Sequence, residues 1–155
     1  MSSAAKPLMS LDDALAIMLS HVPNTSSVET VATWDADGRV LAQDVVSELA
    51  VPALDNSSMD GYAVRSADLQ QLGAELTVTQ RIAAGHFGEA LLAGQTARIF
   101  TGAPVPPGAD AIVMQEQTET VPDPETARVR FLTTPKPGQW IRRSGEDVKA
   151  GDTVL

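Results

Sequence analysis

The sequence predicts an α+β fold that is predominantly β, with a short N-terminal helix and a compact β-rich domain. Helical spacing of apolar residues is confined to one segment, Leu11–Leu19. Beyond Pro52, glycine and proline recur every few residues and separate short runs of Val, Ile, Thr and Arg, a pattern typical of short strands joined by turns. A chain of 155 residues can bury a core as one ordinary domain or two small ones.

The first predicted element is the helix, for which Ser10 is a natural N-cap followed by two aspartates in the first turn. We expect it to end near Pro23. Two short strands are predicted next, Val28–Ala32 and Val40–Val46, because β-branched residues lie on both sides of an Asp-Ala-Asp-Gly turn.

The β-rich domain is predicted from short apolar runs bounded by turn residues. One helical turn is expected near residues 66–72, and a Pro-Lys-Pro-Gly segment starting at Pro135 indicates a boundary before a final strand from Ile141. The predicted strands of this domain are Tyr62–Val64, Leu76–Ile82, Ala97–Phe100, Ala111–Val121 and Arg128–Leu132.

The composition excludes several classes of site and partner. Without cysteine the chain forms neither disulfides nor thiolate metal sites, and His21 and His86 have no second histidine at metal-binding spacing. A net charge of −9 argues against a nucleic-acid partner. The first ten residues contain no sustained apolar run, so neither a signal peptide nor a membrane span is expected. We therefore expect a cytoplasmic protein with no membrane partner.

The segment Asp55–Arg65, with the sequence DNSSMDGYAVR, is unusually rich in turn-forming polar residues. Its Asp-Gly step predicts a tight turn with the carboxylate of Asp60 at the apex. Two interpretations remain open at this point. The side chains could bond only to the backbone, as in an ordinary Asx-rich connection. Alternatively, the loop could bind a cation or act in acid/base chemistry, with Ser57 and Ser58 as hydroxyl partners and candidate cofactor-binding residues.

A second candidate is the segment Thr101–Glu116, which follows a predicted strand. Gly102 permits close approach of a ligand to the backbone, the hydroxyl of Thr101 can donate or accept a hydrogen bond, and three prolines stiffen the loop. Gly102 is therefore a candidate cofactor-binding residue. A simple proline-braced connection is the alternative interpretation.

The third candidate is the segment Ile141–Leu155, where Arg142 and Arg143 precede a Gly-Glu-Asp turn. Arginine beside carboxylates could hold an anion together with its counter-metal, whereas the same residues also form ordinary ion-paired turns. The end of the segment is faintly similar to a carrier-domain hairpin, but Lys149 does not lie at the hairpin tip where such domains are modified.

Together the three segments resemble, in sequence and in order, the N-terminal region of the MoeA/gephyrin E-domain family of molybdopterin molybdenumtransferases. The similarity rests on VPALDNSSMDGYAVR, RIFTGAPVPPGADAIVMQE and IRRSGEDVKAGDTVL, and more weakly on GRVLAQDV. It implies a fold like that N-terminal region, and a reaction that inserts molybdate into adenylylated molybdopterin with the help of Mg²⁺. By motif position, the family's functional residues correspond to Asp60, Thr101, Arg142 and Asp147.

The resemblance also implies an organisation and partners. Residues 1–50 and 140–155 would form an elongated domain from both chain ends, and residues 51–139 a β-rich domain carrying the MDGY and TGA motifs. Members of the family act as homodimers and continue with an α/β domain that supplies much of the substrate pocket. We therefore expect these 155 residues to hold half of an active site and to be inactive alone. A non-catalytic dimerisation or scaffolding module of the same fold is the alternative.

Overall fold

The computed structural model describes residues 9–23, 27–122 and 125–155. The chain divides into two compact units, Met1–Gln43 and Asp44–Leu155. The predicted fold class is confirmed, since one α-helix and eight short strands are found in the described part of the chain. No helix among these residues is long and apolar enough to cross a membrane.

In the first unit, helix α1 spans Leu11–Ser20, as the sequence predicts. Ser10 caps it because its Oγ accepts a hydrogen bond from the backbone N–H of Asp13 at 3.1 Å. His21 is the C-cap, two residues before Pro23. The limits of α1 are therefore determined by residues at its own ends.

The prediction of two strands after the helix is wrong. Between residues 27 and 43 the chain forms a 3₁₀ turn at Thr33–Asp35 and a turn at Gly38, and Val46 makes only an isolated bridge. Val28 and Val40 are 71% and 94% exposed. Strands are stabilised by pairing and by packing of one face, and neither valine has a partner strand.

The second unit is built on a six-stranded sheet with the order β5-β2-β4-β3-β7-β6. Strands β3 and β4 are parallel, and all other neighbours are antiparallel. A separate two-stranded sheet pairs β1 with β8. The strands are β1 (Asn56–Ser57), β2 (Gly61–Val64), β3 (Glu75–Ile82), β4 (Gln95–Ile99), β5 (Ala111–Met114), β6 (Thr118–Val121), β7 (Arg128–Phe131) and β8 (Ile141–Arg142).

Each face of the six-stranded sheet carries a buried apolar cluster. Along β2, Ala63 belongs to one apolar cluster and Val64 to the other, and along β5, Ile112 and Val113 divide in the same way. Because successive strand residues point to opposite faces, the two clusters lie on the two sides of the sheet. The sheet is therefore a rigid support for the loops at its ends.

The segment Ala111–Val121, predicted as one strand, is two strands separated by a 3₁₀ turn at Gln115–Gln117. The N–H of Gln115 donates to the carbonyl of Asp60 at 3.1 Å, which continues the pairing of β2 with β5 by one residue before the chain enters the 3₁₀ turn. The other strands predicted in this domain appear within two residues of their predicted limits, and a 3₁₀ turn occurs at Ser66–Asp68.

Residues 45–51 pair with the C-terminal segment. Val46 bridges Thr153, Val51 bridges Val148, and the N–H of Val45 donates to the carbonyl of Leu155 at 3.0 Å. These pairs all lie within the second unit. The division into one domain of residues 1–50 and 140–155 and another of residues 51–139 stays a prediction. Residues 1–8, 24–26 and 123–124 of these domains lie outside the described residues.

Candidate functional site

The three sequence motifs meet along β1. On one side, the N–H of Gly102 donates to the carbonyl of Ser57 at 2.8 Å, and the N–H of Ser57 donates to the carbonyl of Ala103 at 3.0 Å. On the other side, β1 pairs with β8, placing Asn56 opposite Arg142. The first motif thus lies between the second and the third.

The carboxylate of Asp60 is held by Thr101. Its Oδ1 accepts hydrogen bonds from the backbone N–H of Thr101 at 2.9 Å and from the Thr101 hydroxyl at 2.7 Å. The backbone N–H, then the hydroxyl, lower the pKa of Asp60 below its ordinary value, and the charge of Arg98 adds to this effect. Asp60 is exposed. An ionised, oriented carboxylate is therefore presented to solvent.

Gly61 does not form the tight turn predicted for the Asp-Gly step. It is the first residue of β2, and its φ is not in the left-handed region. A Cβ at this position would lie 2.8 Å from the carbonyl carbon of Val113, and closer still to the carbonyl oxygen. Glycine is required here because β5 approaches the backbone, not because the chain turns.

Arg98 is a site residue that sequence reasoning missed. Its guanidinium lies 5.4 Å from the centre of the Tyr62 ring, and Nη1 donates to the carbonyl of Gly61 at 2.7 Å. Nη2 donates to the side chain of Gln115, whose own N–H binds the carbonyl of Asp60. Arg98 therefore supports the carbonyl of Gly61 directly and that of Asp60 through Gln115. Its partners are too distant in sequence for any local signal.

Arg142 and Asp147 form an ion pair with each other. The hydrogen bond to Asp147, followed by its charge, raises the pKa of Arg142 further above its ordinary value. The backbone N–H of Asp147 donates to the carbonyl of Val51 at 2.9 Å. Within the described residues, no hydrogen bond or ion pair connects this pair with Asp60 or Thr101.

Asp55 connects the first and third motifs. Its Oδ1 accepts from the backbone N–H of Ser144 at 2.8 Å, and its Oδ2 is ion-paired with Arg143. The hydrogen bond from Ser144, and then Arg143, lower the pKa of Asp55. Arg142 and Arg143 are thus both ion-paired, which favours the ion-paired interpretation of this basic segment over a free anion site.

The predicted cofactor-binding residues are held by internal bonds. Ser57 is buried, and its hydroxyl donates to the carbonyl of Met59 at 2.6 Å. The N–H of Ser58 donates to the carbonyl of Trp140 at 2.9 Å, and that of Gly102 is bound to Ser57. A ligand contact by these three residues stays a prediction.

An apolar groove borders Gly102. It consists of two adjoining cavities of 280 and 450 Å³ that share Ala53, Leu54, Phe87 and Pro104 in their walls. Phe87 is 77% exposed and was not singled out by the sequence, because a lone aromatic residue in a loop carries no local signal.

The described residues contain no group of three or more His, Cys, Asp or Glu side chains able to hold a metal ion. Asp60 nevertheless retains one carboxylate oxygen that accepts no hydrogen bond in the described part of the chain. A hard cation that takes most of its ligands from water and a phosphorylated substrate fits such a donor, whereas a closed all-protein cage does not.

Comparison with known proteins gives a consistent result. The family model described as the MoeA N-terminal region (domains I and II) matches residues 9–155. The molybdopterin molybdenumtransferases of Haemophilus influenzae and Nostoc are each 44% identical to this chain, over 149 and 157 residues. Both alignments cover 96% of the chain, but 36% and 35% of the relatives, so the chain spans about a third of their length.

A solved structure of the molybdopterin biosynthesis MoeA protein from Pyrococcus horikoshii OT3 is also similar. It superposes with a TM-score of 0.80 at 36% identity, over 93% of this chain and 38% of the other.

Proposed function

Because this chain belongs to the MoeA family, whose N-terminal region it matches, we propose that it is the N-terminal part of a molybdopterin molybdenumtransferase. The reaction is the insertion of molybdate into adenylylated molybdopterin, with loss of adenylate. The observation that supports a catalytic role for this region is the ionised carboxylate of Asp60, oriented by two hydrogen bonds from Thr101 at an exposed position.

Asp60 acts as a ligand for the divalent cation or for the substrate, and Thr101 fixes its orientation. The oxygen of Asp60 that Thr101 does not bind is the donor that would hold Mg²⁺. Mg²⁺ is usually bound through one or two carboxylates together with substrate phosphates and water, so a single protein carboxylate suits it. When bound, Mg²⁺ neutralises the phosphate charge that develops as the adenylate leaves.

Arg142 acts as a tie that orients Asp147. The ion pair between them, and the backbone bond from Asp147 to Val51, hold the loop 142–148 against the segment before β1. Asp147 is then a second candidate ligand for the metal or the substrate. Its pairing with Arg142 lowers the electrostatic cost of keeping a carboxylate near an anionic substrate.

The site is completed by a further part of the protein and by a second copy. No three-ligand metal group is present in the described residues, which is in keeping with a site shared between domains. Homodimerisation is supported by helix α1, which buries none of its residues although Leu15, Ile17 and Leu19 are apolar. The acidic charge and absence of cysteine support a cytoplasmic protein without a nucleic-acid partner.

The decisive experiment substitutes Asp60 in the complete protein and measures molybdenum insertion with adenylylated molybdopterin and molybdate. We expect D60N to reduce kcat/KM at least about 100-fold, since an oriented charge is lost in the transition state. D37N removes an equal charge from an exposed turn of the first unit and should leave the rate unchanged. A folded, dimeric D60N protein with normal activity would refute a catalytic role and favour a scaffolding one.

A further inference from the structure

Two arginines share one aromatic ring beside the candidate site. The guanidinium carbon of Arg81 lies 4.4 Å from the centre of the Phe100 ring, and that of Arg98 lies 4.5 Å from it. Arg81 and Arg98 are in register on the parallel strands β3 and β4. Their side chains therefore project from the same face of the sheet, where Phe100 follows two residues after Arg98.

Arg81 has no acidic partner among the residues that the structure describes. In the described part of the chain it forms neither a hydrogen bond nor an ion pair, although it is exposed. Arg128 and Arg130, one strand away, both pair with Glu75 at 3.4 and 2.8 Å. Although acidic residues outnumber basic ones by 20 to 11, Arg81 is left without an ion pair in the described residues, beside the second guanidinium of Arg98. All five N–H donors of Arg81 are available to a ligand.

Arg98 is fixed by hydrogen bonds, so one guanidinium of the Arg81–Arg98 pair has a defined position. It donates to the carbonyls of Gly61 and Ile99 at 2.7 and 3.2 Å and binds Gln115 as well. Stacking on Phe100 holds Arg81 in turn, since a guanidinium is attracted to the face of an aromatic ring. The result is a preorganised pair of positive charges with one free hydrogen-bonding edge.

This basic pair borders the Asp60–Thr101 contact. Phe100 directly precedes Thr101, and Arg98 is near enough to Asp60 to affect its ionisation. The basic pair is therefore linked to the Asp60–Thr101 contact through Phe100 and Arg98.

We propose that Arg81, supported by Arg98 and Phe100, binds a tetrahedral oxoanion of the substrate. The proposal rests on the function proposed above and assigns a substrate group to that site. A planar guanidinium donates two parallel N–H bonds to neighbouring oxygens, a geometry that suits phosphate and other tetrahedral oxoanions. The two sources in this reaction are the phosphate ester of the adenylylated pterin and molybdate.

Titration of the 155-residue chain with inorganic pyrophosphate and, separately, with molybdate tests the proposal by calorimetry. We expect saturable binding that weakens about 10-fold or more in R81Q, because a charge-assisted bidentate contact is lost. The affinity of R81K should lie between those of the wild type and R81Q, since lysine keeps the charge but lacks the planar guanidinium. R128Q is the matched control, with the same charge change on the neighbouring strand, and should bind as the wild type does.

The two titrations show which substrate group is bound, because the anion that binds more tightly and is more sensitive to R81Q is the one that Arg81 recognises. Absence of saturable binding for both anions, or equal binding by R81Q and the wild type, would overturn the proposal. Circular dichroism of each variant establishes that it is folded.

A second measurement separates this proposal from the proposed function. In the complete protein, R81Q should raise the KM for the substrate whose anion it binds, with a smaller change in kcat. If D60N leaves insertion unchanged, the function fails while anion binding by the 155-residue chain still decides the role of Arg81. If the chain binds the anion but R81Q leaves both KM values unaltered, the assignment to a substrate group is wrong.

Discussion

Substitution of Gly61 by alanine tests the view that close strand packing, not a turn, determines the residue after Asp60. Gly61 pairs with Ile99 on β4 and with Met114 on β5, so it is fixed on both sides. An added Cβ would lie 2.8 Å from the carbonyl carbon of Val113 and 3.0 Å from the Cα of Met114. Both are backbone atoms, which cannot rotate away.

The magnitude follows from this geometry. Carbon atoms pack at about 3.5 to 4.0 Å and the carbonyl oxygen of Val113 lies closer still, so β2 and β5 would have to separate by at least roughly 0.7 Å. Overpacking of this kind costs about 3 kcal/mol. Alanine also reduces the conformational entropy of the unfolded chain, which stabilises the folded state by about 0.5 to 1 kcal/mol. We therefore expect G61A to lower the free energy of unfolding by about 2 kcal/mol or more.

Urea denaturation followed by circular dichroism measures this loss, and Gly88 supplies a matched control. Like Gly61 it has no left-handed φ, but its added Cβ would meet the ends of the Gln80 and Ile82 side chains. Side chains can move, so G88A should cost about 1 kcal/mol or less. If the two variants lose equal stability, or if G61A is as stable as the wild type, the packing explanation is refuted.

Three further outcomes follow from single contacts. T101V removes the hydroxyl donor but keeps the backbone N–H, so the pKa of Asp60 should rise while staying below its ordinary value. Carboxyl ¹³C NMR measures this pKa, and an unchanged value would contradict the hydroxyl contact. D55N should lower the free energy of unfolding by about 1 kcal/mol near neutral pH. Because folding lowers the pKa of Asp55, its stabilisation is present above the unfolded-state pKa of about 4 and is lost as the pH falls through the folded-state pKa. The difference in stability between D55N and the wild type should therefore shrink in acid. T96V should cost about 1 kcal/mol in urea denaturation, because the buried Thr96 hydroxyl donates to the carbonyl of Ala63 at 2.8 Å; a neutral effect would show that this bond contributes nothing.

The sequence predicts those features whose causes are local. Ser10 caps α1 through the N–H three residues on, and the run of β-branched and apolar residues in Leu76–Ile82 forms a sheet strand. The resemblance to the MoeA family, carried by three long motifs in order, is confirmed. The predicted strands Val28–Ala32 and Val40–Val46 failed because β-branched composition cannot specify a partner, and pairing is what forms a strand.

The parts of the candidate site that escaped prediction depend on contacts between distant residues. The Asp-Gly step at Asp60 has the composition of a turn, but Gly61 is required by Val113, more than fifty residues away. Arg98 resembles any strand arginine until its contact with Gly61 is seen. Asp55 likewise holds Arg143 across the chain. No local pattern encodes such pairs.

The two predicted pairs of functional residues should respond to perturbation independently, because different parts of the fold hold them. Asp60 is fixed by groups on or beside the six-stranded sheet, through Thr101, Gln115 and the carbonyl of the adjoining Gly61. The loop carrying Asp147 is fixed by Asp55 and by the backbone of the segment before β1. Strain at Gly61 should therefore shift the pKa of Asp60, whereas loss of the Asp55 carboxylate should leave it unaltered. The site is thus two separately supported halves joined along β1.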